Sequence, residues 1–377
     1  MIKVGITGQS GFIGSHLYNY LNLKKEEIVL IPFEDFFFSE NSHLENFVKQ
    51  CDIIVHLAAM NRHGNPQVIY DTNIRLVKSL IDVCLKTNSL PHILFSSSTQ
   101  EDRDNLYGKS KLDGRILFEK WAEASNASFT GLVIPNVFGP FGNPFYNSVV
   151  ATFCHQLTHN IQPNIDVDAG MKLIYVGELV HEIYSQIIEP RTPDTAIRTV
   201  HIASTSESKV SEILSILQGF KTMYFESGII PDLSDKFVLN LFNTFVCYID
   251  HQKFFPFILK LNTDSRGTYV ETVKLKAGGQ VSFSTTKPGI TRGNHYHTRK
   301  AERFAVIKGK AQIRLRRIGT DKILTFDLDG EKPSFVDMPI WYSHNITNVG
   351  TEDVYTIFWI SEFYDPNDAD TFFEVVE

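Results

Sequence analysis

The opening stretch MIKVGITGQSGFIGSH constrains the fold more than any other part of the chain. A β-branched run, IKVGIT, meets Gly8, Gly11 and Gly14 and then a helix-forming segment, HLYNYLNL. Glycines at a strand-to-helix turn let backbone N–H groups approach a pyrophosphate, and the helix N-terminus favours its charge. The alternation continues through IVLIPF, DIIVHLA, the helical NIRLVKSLIDVCLK and HILFSS. Short buried strands separated by helices read as a parallel sheet with crossover connections.

Near residue 245 the texture changes. Strand-like runs broken by glycine and proline follow: TYVETVKL, GQVSFSTT, FAVIKG, KAQIRLRRI, KILTFDL and VYTIFWI. That spacing predicts an all-β barrel or sandwich. The aromatic segment FVLNLFNTFVCYIDHQKFFPFILKLN between the halves is too apolar for a flexible linker and predicts packing between domains. A chain of 377 residues exceeds one core. The division expected is an α/β Rossmann-type domain over 1–247 and an all-β domain over 248–377. A net charge of −7 argues against a nucleic-acid partner or an acidic membrane surface. Four scattered cysteines, with neither a leader nor a membrane-length apolar run, predict a reduced cytoplasmic protein.

Several residues carry chemistry. The strand DIIVHLAA ends in small side chains that leave room for a nucleotide. Ser96, Ser97, Ser98 and Thr99 emerge from the end of the next strand, and Tyr107 and Lys111, four apart, share one helical face. A lysine beside a phenol lowers its pKa, making it a proton donor and acceptor. Glu34 and Asp35 follow the second strand, where an acid favours the free ribose hydroxyl of NAD. In the second half, His295 and His297 are two apart on a strand and face the same way. Glu302 follows a turn and His344 comes from another strand; three imidazoles and a carboxylate suit a divalent transition ion such as zinc or iron.

As an ordered set, TGQSGFIG, DIIVHLAA, Asn73 in DTNIRLVKSL, the serine cluster, YGKSK and PNVFGP resemble the extended short-chain dehydrogenase/reductase family. The resemblance implies that Gly8, Gly11, Phe12, Ile13, Gly14, Leu57, Ala58, Ala59, Tyr107, Lys111 and Asn136 line a dinucleotide site. It also implies Tyr107 as acid/base, Lys111 as its tuner on the nicotinamide ribose, and Ser98 as donor to the substrate carbonyl. Only eight residues separate Ser98 from Tyr107, so Ser97 stays open for the serine role. Gly289, His295, His297, Glu302 and Gly309 match the first cupin motif in spacing; Pro339, His344 and Asn348 resemble the second, with Trp341 where a glycine is usual. The cupin resemblance implies a barrel holding one divalent cation, zinc first, on His295, His297, Glu302 and His344.

Asp264, Ser265, Arg266, Gly267, Glu271 and GITRGNHYH resemble the metal-free deoxysugar-nucleotide 3,5-epimerases. There the positions of Arg292 and His295 bind substrate and remove its proton. His295 cannot be both a ligand and a free base, which leaves Tyr269, Tyr342 and Lys308 as open choices for moving the proton. Over nearly the full length, HLAAMNRHG, FSSSTQ, PFYNSVVATFC and FYDPNDADTFF resemble the bifunctional UDP-sugar epimerase–reductases of capsule synthesis. That family implies C3 epimerisation of a UDP-2-acetamido-2,6-dideoxy-4-keto-hexose by the cupin. Reduction at C4 by NADPH, with NADH the alternative, would then give UDP-2-acetamido-2,6-dideoxy-L-talose, in a homodimer. One rival is a monofunctional NAD-dependent nucleotide-sugar epimerase or dehydratase with a structural cupin. Dehydratases carry acids after the catalytic hydroxyl, where this chain has Thr99, Gln100 and Glu101. A second rival, a non-catalytic dinucleotide-responsive protein, would typically lack the tyrosine or the lysine.

Overall fold

A computed structural model describes residues 1–190, 196–265 and 267–377. They form two compact units, 1–152 with 167–210, and 153–166 with 211–377. Arg266 lies outside the described residues.

The first unit begins with β1 (Ile2–Thr7), α1 (Phe12–Asn22), β2 (Ile28–Ile31), α2 (Asn41–Gln50) and β3 (Ile53–His56). It continues with α3 (Pro66–Thr87), β4 (His92–Ser98), α4 (Leu106–Ser125), β5 (Phe129–Ile134) and β6 (Asn136–Phe138). After α5 (Val149–Thr158), which runs across the division between the units, come β7 (Gly170–Tyr175), α6 (Val176–Ile188), β8 (Ile197–His201) and β9 (Ser206–Lys209). The main sheet has the order β2-β1-β3-β4-β5-β8 and is parallel throughout. Its central strands are buried on both faces, with Val4, Ile6 and Leu94 facing one apolar cluster and Ile54, Ile93 and Phe95 the other. From β1 the chain passes to β2 on one side and then to β3 on the other. This reversal opens a crevice at the carboxyl ends of β1 and β3, where a dinucleotide binds in such sheets.

After residues 153–166, the second unit continues from α7 (Val210–Phe220) through β10 (Ile229–Ile230), α8 (Lys236–Val246), α9 (His251–Phe254), β11 (Phe257–Ile258), β12 (Leu261–Asp264), β13 (Gly267–Val270) and β14 (Lys274–Leu275). The longer strands are β15 (Gln280–Thr286), β16 (Thr291–Tyr296), β17 (Glu302–Lys308), β18 (Lys310–Arg317) and β19 (Ile323–Asp329). The last are β20 (Ser334–Met338), β21 (Tyr342–Asn348), β22 (Val354–Ile360) and β23 (Phe372–Phe373). Two antiparallel sheets, β11-β20-β17-β22-β15 and β19-β18-β21-β16-β23, enclose a core that includes Ala305, Ile313, Leu315, Phe326 and Phe335. The all-β expectation holds.

The stretch TYVETVKL, expected as one strand, is two. β13 pairs with β12 in a hairpin, whereas β14 pairs with β10, so different partners divide the run. The aromatic segment is absorbed within the second unit. Phe242 and Phe245 pack on Phe220, at centroid distances of 5.4 and 5.8 Å, and Phe255 joins the barrel core.

Candidate functional site

In the first unit, the turn between β1 and α1 is shaped by what its glycines leave out. Gly8 has φ +70°, and a Cβ on it would lie 2.8 Å from the Ala58 backbone nitrogen. Gly14 faces the turn so closely that a Cβ would lie 2.1 Å from the Gly8 carbonyl oxygen. Gly11 is the N-cap of α1 and supplies no side-chain cap, so the first N–H groups of the helix stay free to meet an anion. The end of β3 is fastened to β1: Leu57 N–H donates to the Thr7 carbonyl at 3.2 Å, and Thr7 Oγ1 lies 2.7 Å from His56 Nδ1. Beyond β2, Asp35 accepts a hydrogen bond from Ser10 Oγ at 3.2 Å, which brings an acid against the glycine turn. Phe12, Ile13, Leu57, Ala58 and Ala59 are partly buried around this turn. Asn136 opens β6 and donates to the Lys172 carbonyl at 3.2 Å.

Ser97 and Ser98 differ in their partners. Ser97 is buried and donates to Glu101, and Glu101 accepts two hydrogen bonds from Arg115, Nε at 3.0 Å and Nη2 at 2.8 Å. Ser98 instead hydrogen-bonds the Tyr107 phenol. Ser98 is therefore the hydroxyl beside the phenol, and Glu101 is a structural ion-pair partner. The short connection from β4 to α4 is possible because Gly108 lacks a Cβ, which would sit 2.0 Å from the Gln100 carbonyl. Asn105 caps α4 by accepting from Gly108 N–H at 2.8 Å. Asn73 ties this region together: it accepts from Met60 N–H at 2.7 Å and donates to Ser110 Oγ at 2.9 Å.

Lys111 lies in the same place, with its ammonium 2.8 Å from the Ser96 carbonyl and 5.8 Å from the Tyr107 ring centroid. The lysine was expected to lower the phenol's pKa. The structure reverses that expectation: burial pushes Tyr107 up to about 12, partly offset by the Ser98 hydrogen bond and reinforced by the nearby Tyr146 phenol. Burial also lowers Lys111 to about 8. Desolvation dominates both because each charged form would be enclosed by protein. Tyr146, unrecognised from sequence, accepts from Asn61 N–H at 3.4 Å, and Asn147 donates to the Asn61 carbonyl at 2.7 Å. These bonds clamp the loop after β3 to the one preceding α5, beside Tyr107.

In the second unit, His295, His297, Glu302 and His344 offer ligand atoms that all lie within 4.8 Å of one another. Donors about 2 Å from a tetrahedral ion would be about 3.3 Å apart, so small side-chain adjustments complete such a shell. Each imidazole has one ring nitrogen committed to a backbone carbonyl. His297 Nδ1 donates to Asp370 at 2.6 Å, His344 Nδ1 to Tyr342 at 3.2 Å, and His295 to Gly293. A carbonyl only accepts, so those nitrogens carry the proton and a neutral ring's other nitrogen presents a lone pair. His297 Nε2 and His344 Nε2 stand 3.2 and 3.1 Å from Glu302 Oε2, yet all three atoms are buried without a hydrogen bond. Lone pairs converging on a carboxylate oxygen repel unless a cation lies among them, and the donor set fits a zinc-like ion.

The electrostatics agree. Burial lowers His295 to about 4, helped by His344 and His297, keeping its ring neutral near pH 7.

A β-bulge sets which residues share this face. Pairing of β16 with β21 slips between Gly293 and His295, where Asn294 has φ 60°. Arg292 pairs with Ile346 and His295 with His344, so two residues three apart in sequence fall on one face. Of the other residues considered for proton movement, Lys308 is paired with Glu352 at 3.3 Å, and Tyr269 is exposed on the β12–β13 hairpin. Tyr342 packs on His251 at 5.4 Å, with its pKa raised by burial.

Comparisons with known proteins bear on both sites. Residues 4–195 match the NAD dependent epimerase/dehydratase family, and residues 262–372 match the polysaccharide biosynthesis C-terminal domain. A UDP-2-acetamido-2,6-beta-L-arabino-hexul-4-ose reductase from Pseudomonas aeruginosa is 30% identical over 372 residues, covering 98% of each chain. The crystal structure of capsular polysaccharide assembling protein CapF from Staphylococcus aureus is similar at 34% identity and a TM-score of 0.62, covering 99% of this chain and 100% of that one. WbmF from Bordetella bronchiseptica, solved in complex with NAD+, shares the fold at 16% identity and a TM-score of 0.52, over 59% of this chain and 77–78% of that one. Among the described residues, no helix is long and apolar enough to cross a membrane.

Proposed function

Because the chain belongs to the NAD dependent epimerase/dehydratase family and carries a polysaccharide biosynthesis C-terminal domain, we propose that it is a bifunctional enzyme acting on a UDP-linked 4-keto deoxysugar. In this reading the barrel inverts C3 of a UDP-2-acetamido-2,6-dideoxy-4-keto-hexose. The α/β unit then reduces C4, giving UDP-2-acetamido-2,6-dideoxy-L-talose. Residues 1–247 and 248–377 are the proposed functional domains.

The observation that carries the reductive reading is the placement of Tyr107 beside Ser98 and Lys111 at the end of β4. A phenol raised to about 12, hydrogen-bonded to Ser98, is a proton donor at neutral pH. Reduction of a ketone needs that form, because the alkoxide made by hydride transfer must be protonated. Glu101 does not serve as a dehydratase acid in this reading, since Arg115 and Ser97 occupy it.

When bound, the nicotinamide supplies the hydride. Gly8, Gly11 and Gly14 with the α1 N-terminus would hold its pyrophosphate, and Lys111 its nicotinamide ribose. Asp35 weighs toward NADH, against the NADPH expected by resemblance. No Lys or Arg occurs between Lys25 and Lys49, the segment where a 2′-phosphate would seek a cation. In the barrel, a cation on His295, His297, Glu302 and His344 would polarise the keto oxygen and acidify its neighbouring carbon. Arg292, on the same face, would meet the substrate's negative charge.

The test is to incubate the protein with UDP-4-keto sugars and NADH or NADPH, following products by NMR. Tyr107→Phe should abolish cofactor oxidation yet leave solvent-deuterium exchange at C3 intact. Normal reduction by that variant removes Tyr107 from the chemistry, and absence of exchange in the wild-type protein removes the epimerase half.

A further inference from the structure

The C-terminal segment FYDPNDADTFF has no part in the chemistry above, yet it is tied to the metal cluster by a dense set of bonds. We propose that Asp370 is a positioning residue for the metal ligand His297, and that the segment from Glu362 to Phe373 acts as a strap completing that site. This rests on the reading of the His/Glu cluster as a cation site.

Three observations carry it. The Asp370 backbone carbonyl accepts from His297 Nδ1 at 2.6 Å, which fixes the tautomer and aims Nε2 at Glu302. The other two imidazoles use carbonyls close in sequence, at Gly293 and Tyr342, whereas His297 depends on a residue 73 positions away. Second, the Asp370 carboxylate is buried over the turn that follows His297. It accepts from Thr298 N–H at 3.1 Å, Thr298 Oγ1 at 2.6 Å, Arg299 N–H at 3.1 Å and Lys300 N–H at 3.2 Å. One side chain thus holds both its own backbone, at φ 42°, and the turn that orients the ligand. Third, the strap is secured on both sides of Asp370. Arg299 binds Glu362 and Asp368, while β23 pairs Phe373 with His295 and Phe372 with Tyr296.

Partners that fix a ligand's orientation typically change metal affinity by 10- to 100-fold. The experiment uses full-length protein stripped of metal and reloaded with Zn²⁺ or Co²⁺. Affinity is read by competition with a chelator, and coordination by the visible spectrum of the Co²⁺ form. Asp370→Ala should bind zinc about 10- to 100-fold more weakly with an altered cobalt spectrum. Asp370→Asn, which keeps an acceptor oxygen, should recover part of the loss. Lys310→Gln, which removes only an exposed barrel ion pair with Asp329 away from the strap, should bind as wild type.

A folded Asp370→Ala variant with wild-type affinity and spectrum overturns the proposal. If that variant does not fold, Asp370→Asn decides: weaker binding with a changed spectrum supports the role, and unchanged binding refutes it. Wild-type protein that binds neither cation sinks the metal reading and this inference with it, whereas wild-type binding with an unaffected Asp370 variant removes the positioning role alone.

Discussion

Replacing Gly14 by alanine tests whether the dinucleotide turn is built on backbone contact. Gly14 is the third residue of α1, where alanine's intrinsic helix preference would stabilise by about 1 kcal/mol. Against that, the new Cβ would lie 2.1 Å from the Gly8 carbonyl oxygen and 2.9 Å from Gln9 Cα. Ordinary contact begins near 3.4 Å, so the carbonyl must retreat by more than an ångström. Its movement is opposed by the Gly11 N–H bond it accepts at 3.0 Å and by Gly8 already lying against the Ala58 backbone. Overpacking costs typically 1–3 kcal/mol, and backbone yields less readily than a side chain, so the upper end applies. The net expectation is a loss of about 1–2 kcal/mol, or several degrees in the first thermal transition. Gly11→Ala is the internal control. Its φ is −72° and its Cβ would meet the Gly8 oxygen at 3.2 Å, a clash relieved by a few tenths of an ångström. Stability should stay within about 0.5 kcal/mol of wild type, while NADH affinity falls because a methyl group occupies the pyrophosphate's approach. Gly14→Ala should lose both. Differential scanning calorimetry with a fluorescence titration of NADH reads the two quantities, and a Gly14→Ala protein as stable as wild type refutes the reasoning.

Glu302→Gln removes the one anionic donor of the cluster, so metal content measured by atomic emission should drop at least tenfold under chelator challenge; unchanged content would exclude Glu302 as a ligand. His56 gives a pH signature. Burial, helped by Lys111, lowers its pKa to about 3 from an ordinary 6.5, so below pH 6.5 the unfolded chain takes up a proton that the native one refuses. Its contribution to stability is present above pH 6.5 and is lost as pH falls toward 3, with a slope of about 1.4 kcal/mol per pH unit between them. Urea unfolding of wild type and His56→Gln from pH 7 to 4 should diverge by that slope, and parallel curves would discount it.

What the sequence made legible was local. The glycines of the first turn and the Tyr107–Lys111 helical pair lie where strand-to-helix and helical spacing put them, while His297 follows the end of β16 rather than lying within it. Relations across long chain separations were not legible. Ser97 and Ser98 are equivalent by pattern, and only the Glu101–Arg115 ion pair, fourteen residues apart, takes one of them away from Tyr107. Alternation along β16 would send Arg292 and His295 to opposite faces, and the slip at Asn294 reverses that without any strong sequence mark. Asp370 reads as one acid among several in a polar tail, since its role appears only when β23 returns to β16. The lysine–tyrosine argument failed for another reason. It counted charge proximity but not desolvation, and at a partly enclosed phenol burial is the larger effect.

On the proposed function, the two sites would meet a ketone with opposite electrostatic preparation. Around Tyr107 and Lys111, burial suppresses charge: the phenol keeps its proton, and the lysine at about 8 is only modestly committed to its own. Such a site is poised to give a proton away after hydride arrives. Around Glu302 the imidazole nitrogens converge without hydrogen bonds, and His295 is held neutral by burial, so this cluster offers electron pairs to a cation. A cation held there would withdraw electrons from a carbonyl and acidify the neighbouring carbon. Loss of a proton beside the ketone and its later capture as an alcohol are therefore favoured in separate environments. In the proposed reading, that difference in burial and donor groups, more than the fusion of two folds, accounts for two centres on one polypeptide.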